Sequence, residues 1–258
     1  MSLPKKSLGQ HWLHDETSLL AMLQAGQVES EDIVVEVGPG LGTLTKKLTA
    51  AAKEVIAIEL DDILVMGLAD KVAAQNLTVV HEDVLQYDFS QVTSGYKVVA
   101  NIPYYLTSNL IRTLLESSNP PAVMALLVQK EVAERIVAKP GQMSILAVSV
   151  QFYAEAYLKE LVPAELFTPP PKVDSQIIQI IRRPEPLFPD VDREKFFKIV
   201  KAGFSEKRKK LRSSLSGGLQ LPKGQVDIWL EEASISPDAR AQELNLTQWN
   251  QLYMVAPL

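Results

Sequence analysis

The sequence predicts an α/β fold in which a doubly wound, parallel sheet is followed by a small C-terminal all-helical domain. Short apolar runs alternate with helical patterns over the first two thirds of the chain, which is typical of strands joined by crossover helices. The proline-rich stretch RRPEPLFPDVD at 182–192 then interrupts the pattern. The chain has 258 residues, enough for one large domain and a small second one. We therefore expect domains at 1–184 and 185–258.

The individual elements follow from residue spacing. Strands are predicted at 32–38, 54–60, 77–83, 96–102 and 122–129, and two later strands, AYLKELV and SQIIQIIRR, suggest a hairpin. Helices are predicted at 43–52, 62–74, 107–117 and 130–138, and beyond the boundary at 224–233 and 246–256. Another helical stretch near 195–204 carries an apolar stripe on one face and lysines on another. The stripe is Phe196, Ile199, Val200 and Phe204, and the lysines are Lys195, Lys198 and Lys201.

Composition excludes several classes of protein. The chain has no cysteine, so it has neither a disulfide framework nor a thiolate zinc site. Its three histidines all lie in the first third, which argues against a histidine metal site, and we predict no metal. We also expect no signal peptide, since the start of the sequence has no long apolar core and no small-residue cleavage site. We expect no membrane helix either, since no apolar run approaches the roughly 18 residues that one needs. These features favour a cytoplasmic protein.

The charge distribution is uneven. The net charge is −5, yet the segment from Arg193 to Arg212 has nine basic residues and two acids, a net +7, so the remainder is −12. An acidic body with one basic segment is a candidate for local contact with nucleic acid. The alternative is an ordinary solvated helix face.

A glycine-rich turn follows the first predicted strand, in VVEVGPGLGTLT. Glycines let the backbone turn tightly and come close to a ligand. The dinucleotide pattern G-x-G-x-x-G would need a third glycine at the position of Thr43. The sequence instead has G-x-G-x-G starting at Gly38, preceded by Glu36, which is typical of an S-adenosylmethionine loop. The alternative is a tight strand–helix turn without a ligand.

Two acids end the next two predicted strands. Glu59 could accept hydrogen bonds from both ribose hydroxyls, and Asp83 one from the adenine amino group. Either acid alone could be a helix N-cap. The glycine loop and both acids occur in order at successive strand ends, which favours the nucleotide site.

The stretch VVANIPYYLTSNL suggests a site for the methyl acceptor. An adenine N6 amine is a poor nucleophile that needs acceptors for its hydrogens, and the Asn101 oxygen and the Ile102 carbonyl, exposed by the turn at Pro103, are suitable. Tyr104 offers a face on which a base can stack. Catalysis would then be mainly orientation for in-line transfer. The alternative is a polar turn with a tyrosine at a helix start.

With these residues, the chain resembles the ribosomal RNA adenine N6-dimethyltransferase family, nearest to the bacterial small-subunit type. The motifs that carry the resemblance are KKSLGQHWL, EVGPGLGTLT, IELD, EDVL, NIPYY, LFTPPPKVDS and FSEKRKKLRSSL. They cover nearly the whole chain. The family more often has Asn at the position of His11 and Phe at that of Trp12.

The resemblance implies a Rossmann-like S-adenosylmethionine-dependent methyltransferase with an RNA-binding helical domain. The implied cofactor contacts are His11, Leu13, Gly38, Gly40, Glu59, Asp83 and Asn101. The implied catalytic residues are Asn101, Ile102 and Tyr104, with Phe167 stacking on the other face of the target adenine. Phe167 could instead be a core aromatic before a proline turn. The implied RNA contacts, which would track phosphates, are Lys207, Arg208, Lys209, Lys210 and Arg212.

The implied reaction converts S-adenosylmethionine to S-adenosylhomocysteine while dimethylating two adjacent adenosines near the 3′ end of small-subunit ribosomal RNA, in ribosome biogenesis. The resemblance also implies a partly assembled small subunit as substrate, and we expect a monomer. Two alternatives remain from the sequence: a large-subunit enzyme that confers macrolide resistance, and a non-catalytic RNA-binding relative. The second predicts loss of Asn101, Tyr104 or Glu59, and all three are present. A DNA adenine methyltransferase would more usually have two prolines where this chain has Ile102-Pro103.

Overall fold

A computed structural model of the protein describes residues 9–206 and 208–256. The chain forms two compact units. Of the described residues, the first unit contains those up to Glu134 together with Ala154–Arg182, and the second contains Arg135–Tyr153 and those from Arg183 onward.

The first unit is built on a seven-stranded sheet and a separate strand pair. The strands are β1 (Trp12–Leu13), β2 (Ile33–Val37), β3 (Glu54–Glu59), β4 (Leu77–His81), β5 (Lys97–Asn101), β6 (Val123–Gln129), β7 (Ala154–Val162), β8 (Phe167–Thr168) and β9 (Ser175–Arg182). The main sheet has the order β4-β3-β2-β5-β6-β9-β7, and β1 pairs antiparallel with β8. Strands β2 to β6 are parallel, while β9 runs antiparallel to both of its neighbours. The predicted doubly wound α/β fold is confirmed.

Helices connect the strands and make up the second unit. They are α1 (Glu16–Ala25), α2 (Thr43–Ala51), α3 (Asp62–Val72), α4 (Thr107–Glu116), α5 (Lys130–Ile136), α6 (Ile145–Tyr153), α7 (Arg193–Gly203), α8 (Leu211–Leu219), α9 (Lys223–Glu232) and α10 (Leu246–Met254). Within the described ranges, none of them has the length and apolar character needed to cross a membrane.

The central strands of the sheet are buried on both faces. Val34, Val35, Val98 and Val99 are fully buried, as expected for β-branched runs in a parallel sheet that helices cover. Every apolar position predicted on α4 is buried as well, and these positions are Leu110, Ile111, Leu114 and Leu115. This packing holds the carboxyl ends of β2, β3, β4 and β5 along one edge of the sheet.

Aromatic side chains form the core of the second unit. Phe152 on α6 lies 5.0 Å from Phe196 and 5.4 Å from Phe197 of α7, measured between ring centroids. Such pairs add stabilisation beyond the area that they bury. The segment 135–153 therefore belongs to the helical unit, although the expected boundary at 184/185 had assigned it to the first domain.

Candidate active site

A cleft lies at the carboxyl edge of the parallel strands, where ligands bind in open α/β sheets. It is formed by the segment around β1 and by the turns that follow β2, β3, β4 and β5. Of the residues singled out from the sequence, those that line it are His11, Leu13, Glu36, Gly38, Gly40, Glu59, Asp83, Asn101, Ile102 and Tyr104.

The glycine loop forms one wall of the cleft. The backbone of Gly40 has a φ of +58° and that of Gly42 a φ of +82°, a region that L side chains rarely adopt. A Cβ atom at Gly42 would lie 2.9 Å from Leu68 Cδ1, and one at Gly40 would lie 3.4 Å from Trp12 Cδ1. Glycine is therefore needed at Gly42 for the approach of α2 to α3, whereas at Gly40 it is favoured by the positive φ.

Glu59 joins the end of β3 to the glycine loop. Its Oε2 accepts a hydrogen bond from Gly40 N at 3.2 Å, and its Oε1 accepts from the backbone N–H groups of Leu60 and Asp61, each at 2.9 Å. Burial raises the pKa of this carboxyl group, and the three backbone donors oppose the rise. The Oε2 atom has only one of these donors, so it can accept another from a ligand in the cleft.

A second acid, Glu36, lies beneath the loop near the end of β2. It is 1% exposed, and burial raises its pKa to about 8, with the neighbouring Glu59 carboxylate contributing to the rise. Its Oε2 atom has no hydrogen-bond partner among the described residues. A buried polar atom without a partner is costly in the free protein.

Asp83 follows β4 and is half-buried. Its Oδ1 accepts a hydrogen bond from Leu85 N at 3.0 Å, so the carboxylate does cap a turn, as the structural alternative proposed. It also lines the cleft, and a carboxylate has acceptor capacity beyond one bond. The two interpretations are compatible.

The Asn101 amide has a defined orientation. Its Nδ2 donates to the backbone carbonyl of His11 at 3.0 Å. Because a carbonyl oxygen can only accept, the NH₂ group must point to His11, and Oδ1 remains available as an acceptor.

Tyr104 is held on two sides. Its hydroxyl lies 2.8 Å from the hydroxyl of the buried Ser175, and burial raises the pKa of the phenol. The His11 ring stacks near it, with ring centroids 5.9 Å apart and an interplanar angle of 23°. His11 Nδ1 in turn donates to the Pro169 carbonyl at 2.7 Å. The segments at positions 11, 104 and 169–175 therefore meet at one end of the cleft.

Comparison with known protein families shows the family of the chain. A profile described as ribosomal RNA adenine dimethylase matches residues 1–256. The chain belongs to this family. The expected family and activity are confirmed, and S-adenosylmethionine is the methyl donor of such an enzyme.

Several similar proteins are known. One from Dehalococcoides mccartyi is 41% identical over 97% of this chain and 88% of its own length. One from Enterococcus faecalis is 40% identical over 96% of this chain and 88% of its own length. Both are named ribosomal RNA small subunit methyltransferase A.

Two solved structures of related enzymes superpose well. A dimethyladenosine transferase from Plasmodium falciparum has a TM-score of 0.78 and 26% identity, covering 94% of this chain and 96% of that one. The 23S rRNA methyltransferase ErmE has a TM-score of 0.75 and 28% identity, covering 95% of this chain and 98% of that one. The Rossmann-like methyltransferase fold is confirmed.

The residues of the cleft fit S-adenosylmethionine. Glu59 and Asp83 are acceptors at the ends of neighbouring strands, and Gly40 leaves the loop open. Two buried polar atoms at the cleft, Glu36 Oε2 and Trp12 Nε1, have no partner in the described part of the chain. A ligand with both donors and acceptors is suited to such a site.

Leu13 and Phe167 both pack in the apolar core of this dimethylase, and only Leu13 of the two also lines the cleft. Leu13 is 2% exposed and packs in the core, while its carbonyl accepts from the Thr43 hydroxyl at 2.9 Å. Phe167 is 3% exposed, pairs with Leu13 between β8 and β1, and lies in the same apolar cluster. The structure does not bring Phe167 to the cleft, because its ring fills the core under β1. It thus corresponds to the core-aromatic alternative.

Trp12 and Ser175 were not proposed as site residues from the sequence. Trp12 stood out only as a departure from the usual Phe, and its indole donor was the signal that could have identified it. Ser175 ends the motif LFTPPPKVDS, but its contact with Tyr104 joins positions that are 71 residues apart.

The basic block is Lys207, Arg208, Lys209, Lys210 and Arg212, and its described members belong to the second unit. Lys207 lies outside the described residues. Lys210 Nζ lies 2.5 Å from Asp238 Oδ1, and Arg212 Nη2 lies 2.6 Å from Asp227 Oδ2.

The other two described members of the block are less closely paired with acids. Lys209 is 3.8 Å from Glu206. Arg208 is exposed, and no described residue forms an ion pair with it. The positive charge is therefore partly neutralised within the unit, and Arg208 is the described member whose charge is not paired with an acid.

The described residues offer no cluster of metal ligands. Over 9–206 and 208–256, no group of three or more His, Cys, Asp or Glu side chains is placed to hold a metal ion.

Proposed function

We propose that this dimethylase transfers methyl groups from S-adenosylmethionine to the N6 amines of two adjacent adenosines near the 3′ end of small-subunit ribosomal RNA. The names of relatives at 40–41% identity support the small subunit as the target. The large-subunit enzyme ErmE is similar at 28% identity. The observation that carries the catalytic part of the proposal is the oriented Asn101 amide, which leaves an acceptor oxygen at the cleft.

Each residue at this end of the cleft has a defined role in the proposal. The Asn101 oxygen accepts one N6 hydrogen of the target adenine, and the Ile102 carbonyl accepts the other. The Tyr104 ring, fixed by Ser175, gives the base a face on which to stack. Because the N6 lone pair is delocalised into the ring, these acceptors prepare the nitrogen for attack. When bound, S-adenosylmethionine supplies an electrophilic methyl group on a positively charged sulfur.

The reaction requires the target adenine to leave the base stack or to be unpaired already. We propose that the basic block contacts phosphates and sets the register of the RNA rather than reading bases. Within the proposal the enzyme is a monomer that acts in the cytoplasm on a partly assembled small subunit.

The test uses the purified protein, labelled S-adenosylmethionine, and unmethylated small and large ribosomal subunits in separate reactions. Nucleosides from each reaction are identified by mass spectrometry. We expect N6,N6-dimethyladenosine from the small subunit alone. Label in the large subunit alone would indicate a large-subunit enzyme, and no label despite bound cofactor would indicate a non-catalytic relative.

Asn101 provides the test of mechanism. Asn101→Ala removes the acceptor, and we expect kcat to fall about 100-fold or more, as when one preorganised transition-state contact is lost. Cofactor binding, measured by calorimetry, should persist. Asn109→Ala, at an exposed position of α4, is the matched control and should keep full activity. Loss of cofactor binding by Asn101→Ala would remove Asn101 from the catalytic role.

A further inference from the structure

Trp12 lies against Gly40 of the glycine loop, and its indole nitrogen, Nε1, is buried. The nearest atoms to a Cβ built at Gly40 are Trp12 Cδ1 at 3.4 Å and Trp12 Nε1 at 3.5 Å, so the edge of the indole that carries the N–H group faces the loop. Pairing of β1 with β8, with Trp12 opposite Thr168, fixes the backbone there. The side chain lines the cleft.

The indole N–H is unsatisfied in this position. Trp12 Nε1 is buried and has no hydrogen-bond partner among the described residues. An indole nitrogen donates and cannot accept, so only an acceptor can satisfy it. The Gly38 carbonyl oxygen lies 4.0 Å from the same Cβ position, but neither it nor any other described acceptor forms a hydrogen bond with the indole. Burial without a partner is costly, which favours an acceptor that arrives with a ligand.

We propose that Trp12 is a cofactor-binding residue whose indole N–H donates to the carboxylate of the amino-acid half of S-adenosylmethionine. The inference rests on the proposed function, because it takes the cofactor as the ligand of the cleft. The family more often has Phe here, which has no donor, so the contact belongs to this chain in particular.

The chemistry of the cleft selects the carboxylate over other acceptors of the cofactor. Glu36 and Glu59 already supply two acidic side chains on this wall, suited to hydroxyl and ammonium donors. Glu59, which already accepts from three backbone N–H groups, does not bind a carboxylate, because a carboxylate needs N–H or O–H donors. A hydrogen bond to an ionised acceptor is also stronger than one between neutral groups.

The chain contains internal references for a direct test by NMR of ¹⁵N-labelled indoles in the full protein. Trp229 Nε1 donates to the Leu252 carbonyl at 2.6 Å and so represents a bonded indole. Trp249 Nε1 is buried without a partner, like that of Trp12, and represents an unbonded one. Trp12→Phe and Trp249→Phe assign the signals. S-adenosylhomocysteine should move the Trp12 indole proton downfield, while the Trp249 signal stays in place.

A shorter ligand identifies the acceptor. 5′-Methylthioadenosine keeps the nucleoside and the sulfur but lacks the amino acid, so it should leave the Trp12 indole proton near its free position. By calorimetry, Trp12→Phe should weaken S-adenosylhomocysteine about tenfold and leave methylthioadenosine unchanged. Trp249→Phe should change neither affinity.

The outcomes separate the inference from the proposed function. An unmoved Trp12 signal with S-adenosylhomocysteine bound, or equal weakening of both ligands by Trp12→Phe, would overturn the inference alone. Failure of the wild-type protein to bind S-adenosylhomocysteine would overturn both. Normal binding with the expected Trp12 signals, but no methylated RNA, would remove the proposed reaction and keep the Trp12 contact.

Discussion

At the scale of single residues, two acids at the cleft lie in surroundings that disfavour the ionised form of a carboxyl group. Glu36 is buried near Glu59, and burial raises the pKa of both carboxyl groups. A positively charged ligand would relieve this opposition. Without such a ligand, the raised pKa of Glu36 should lower the free energy of unfolding at neutral pH.

Glu36 should make stability depend on pH. Below about pH 4.5 the carboxyl is protonated in both the folded and the unfolded chain. Between pH 4.5 and about 8 the unfolded chain loses the proton while the folded protein keeps it, so the free energy of unfolding falls as the pH rises. Each unit by which the pKa is raised corresponds to about 1.4 kcal/mol. Glu36→Gln should therefore stabilise the free protein increasingly up to about pH 8.

Urea unfolding of the free protein at pH 5 and at pH 8.5 checks this prediction. Glu29→Gln, at an exposed position, is the control and should shift stability little at either pH. A stability difference between Glu36→Gln and the wild type that does not change with pH would show that Glu36 is not protonated in the folded protein.

Glu59 should matter for the cofactor more than for the fold. Glu59→Gln keeps the size of the side chain and one oxygen, but replaces an acceptor by a donor, so the ribose hydroxyls lose part of their contact. We expect the dissociation constant of S-adenosylhomocysteine, measured by calorimetry, to rise at least about tenfold. Glu54→Gln at the other end of β3 is the matched control. An unchanged dissociation constant in Glu59→Gln would remove Glu59 from the binding residues.

At the scale of elements, the packing of α8 against α7 depends on one of two adjacent glycines. A Cβ at Gly218 would lie 2.8 Å from both Cα and Cβ of Ala202, whereas one at Gly217 would meet nothing within 4 Å. The helices therefore come together closely at Gly218 and leave Gly217 open.

Alanine substitutions at Gly218 and Gly217 should change the free energy of unfolding in opposite directions. Gly218→Ala should lower the free energy of unfolding by about 1–3 kcal/mol because of overpacking. Gly217→Ala should raise it by about 0.5–1 kcal/mol, since alanine favours the helix. Chemical denaturation of the two variants measures both. Equal effects would mean that α8 does not pack on α7 at Gly218.

The sequence predicted elements well where one pattern dominates, and poorly where tertiary contacts decide. Buried β-branched runs such as Val34–Val37 identified the strands, and the stripe on α4 identified its buried face. Helix α6 is apolar almost throughout, so it has no amphipathic period to mark it. The pair β1–β8 joins residues more than 150 positions apart, and neither strand is longer than two residues.

The same holds for the candidate site, where the order of residues along the chain predicted one part and tertiary contacts decided the rest. The order of the glycine loop, Glu59, Asp83 and Asn101 along the chain was enough to predict a shared cleft, because parallel strands end at one edge. The burial of Phe167 could not be read from its motif, which fits both a stacking and a core aromatic. The ion pairs of Lys210 and Arg212 could not be predicted from the sequence, because their partners lie 28 and 15 residues away along the chain.

At the scale of the whole molecule, charge rather than shape decides how RNA binding should respond to salt. The chain is net −5, and its basic block is partly paired with acids. Each phosphate contact contributes about 0.9 to the slope of binding against salt for duplexes and about 0.7 for single strands.

Removing an unpaired cation should therefore lower this slope more than removing a cation that is already paired with an acid. Arg208→Ala should lower the salt slope of RNA binding by about 1, and Lys210→Ala by less, because Lys210 already neutralises Asp238. Replacing Arg208, Lys209 and Lys210 together should lower the slope by about 2–3 if each meets a phosphate. Lys223→Ala, at an exposed site outside the block, is the control. An unaltered slope in the triple variant would return the block to an ordinary solvated face.

The interleaved course of the chain limits how it can be divided and how it is completed during synthesis. The chain leaves the first unit after Glu134, contributes α6 to the second, and returns for β7 and β9 before leaving again at Arg183. A fragment ending at Arg182 would contain the whole sheet but would expose Phe152 without its partners Phe196 and Phe197. A catalytic fragment fit for expression therefore requires an internal deletion rather than a single truncation. On the ribosome, α6 must likewise wait for residues that emerge some forty positions later.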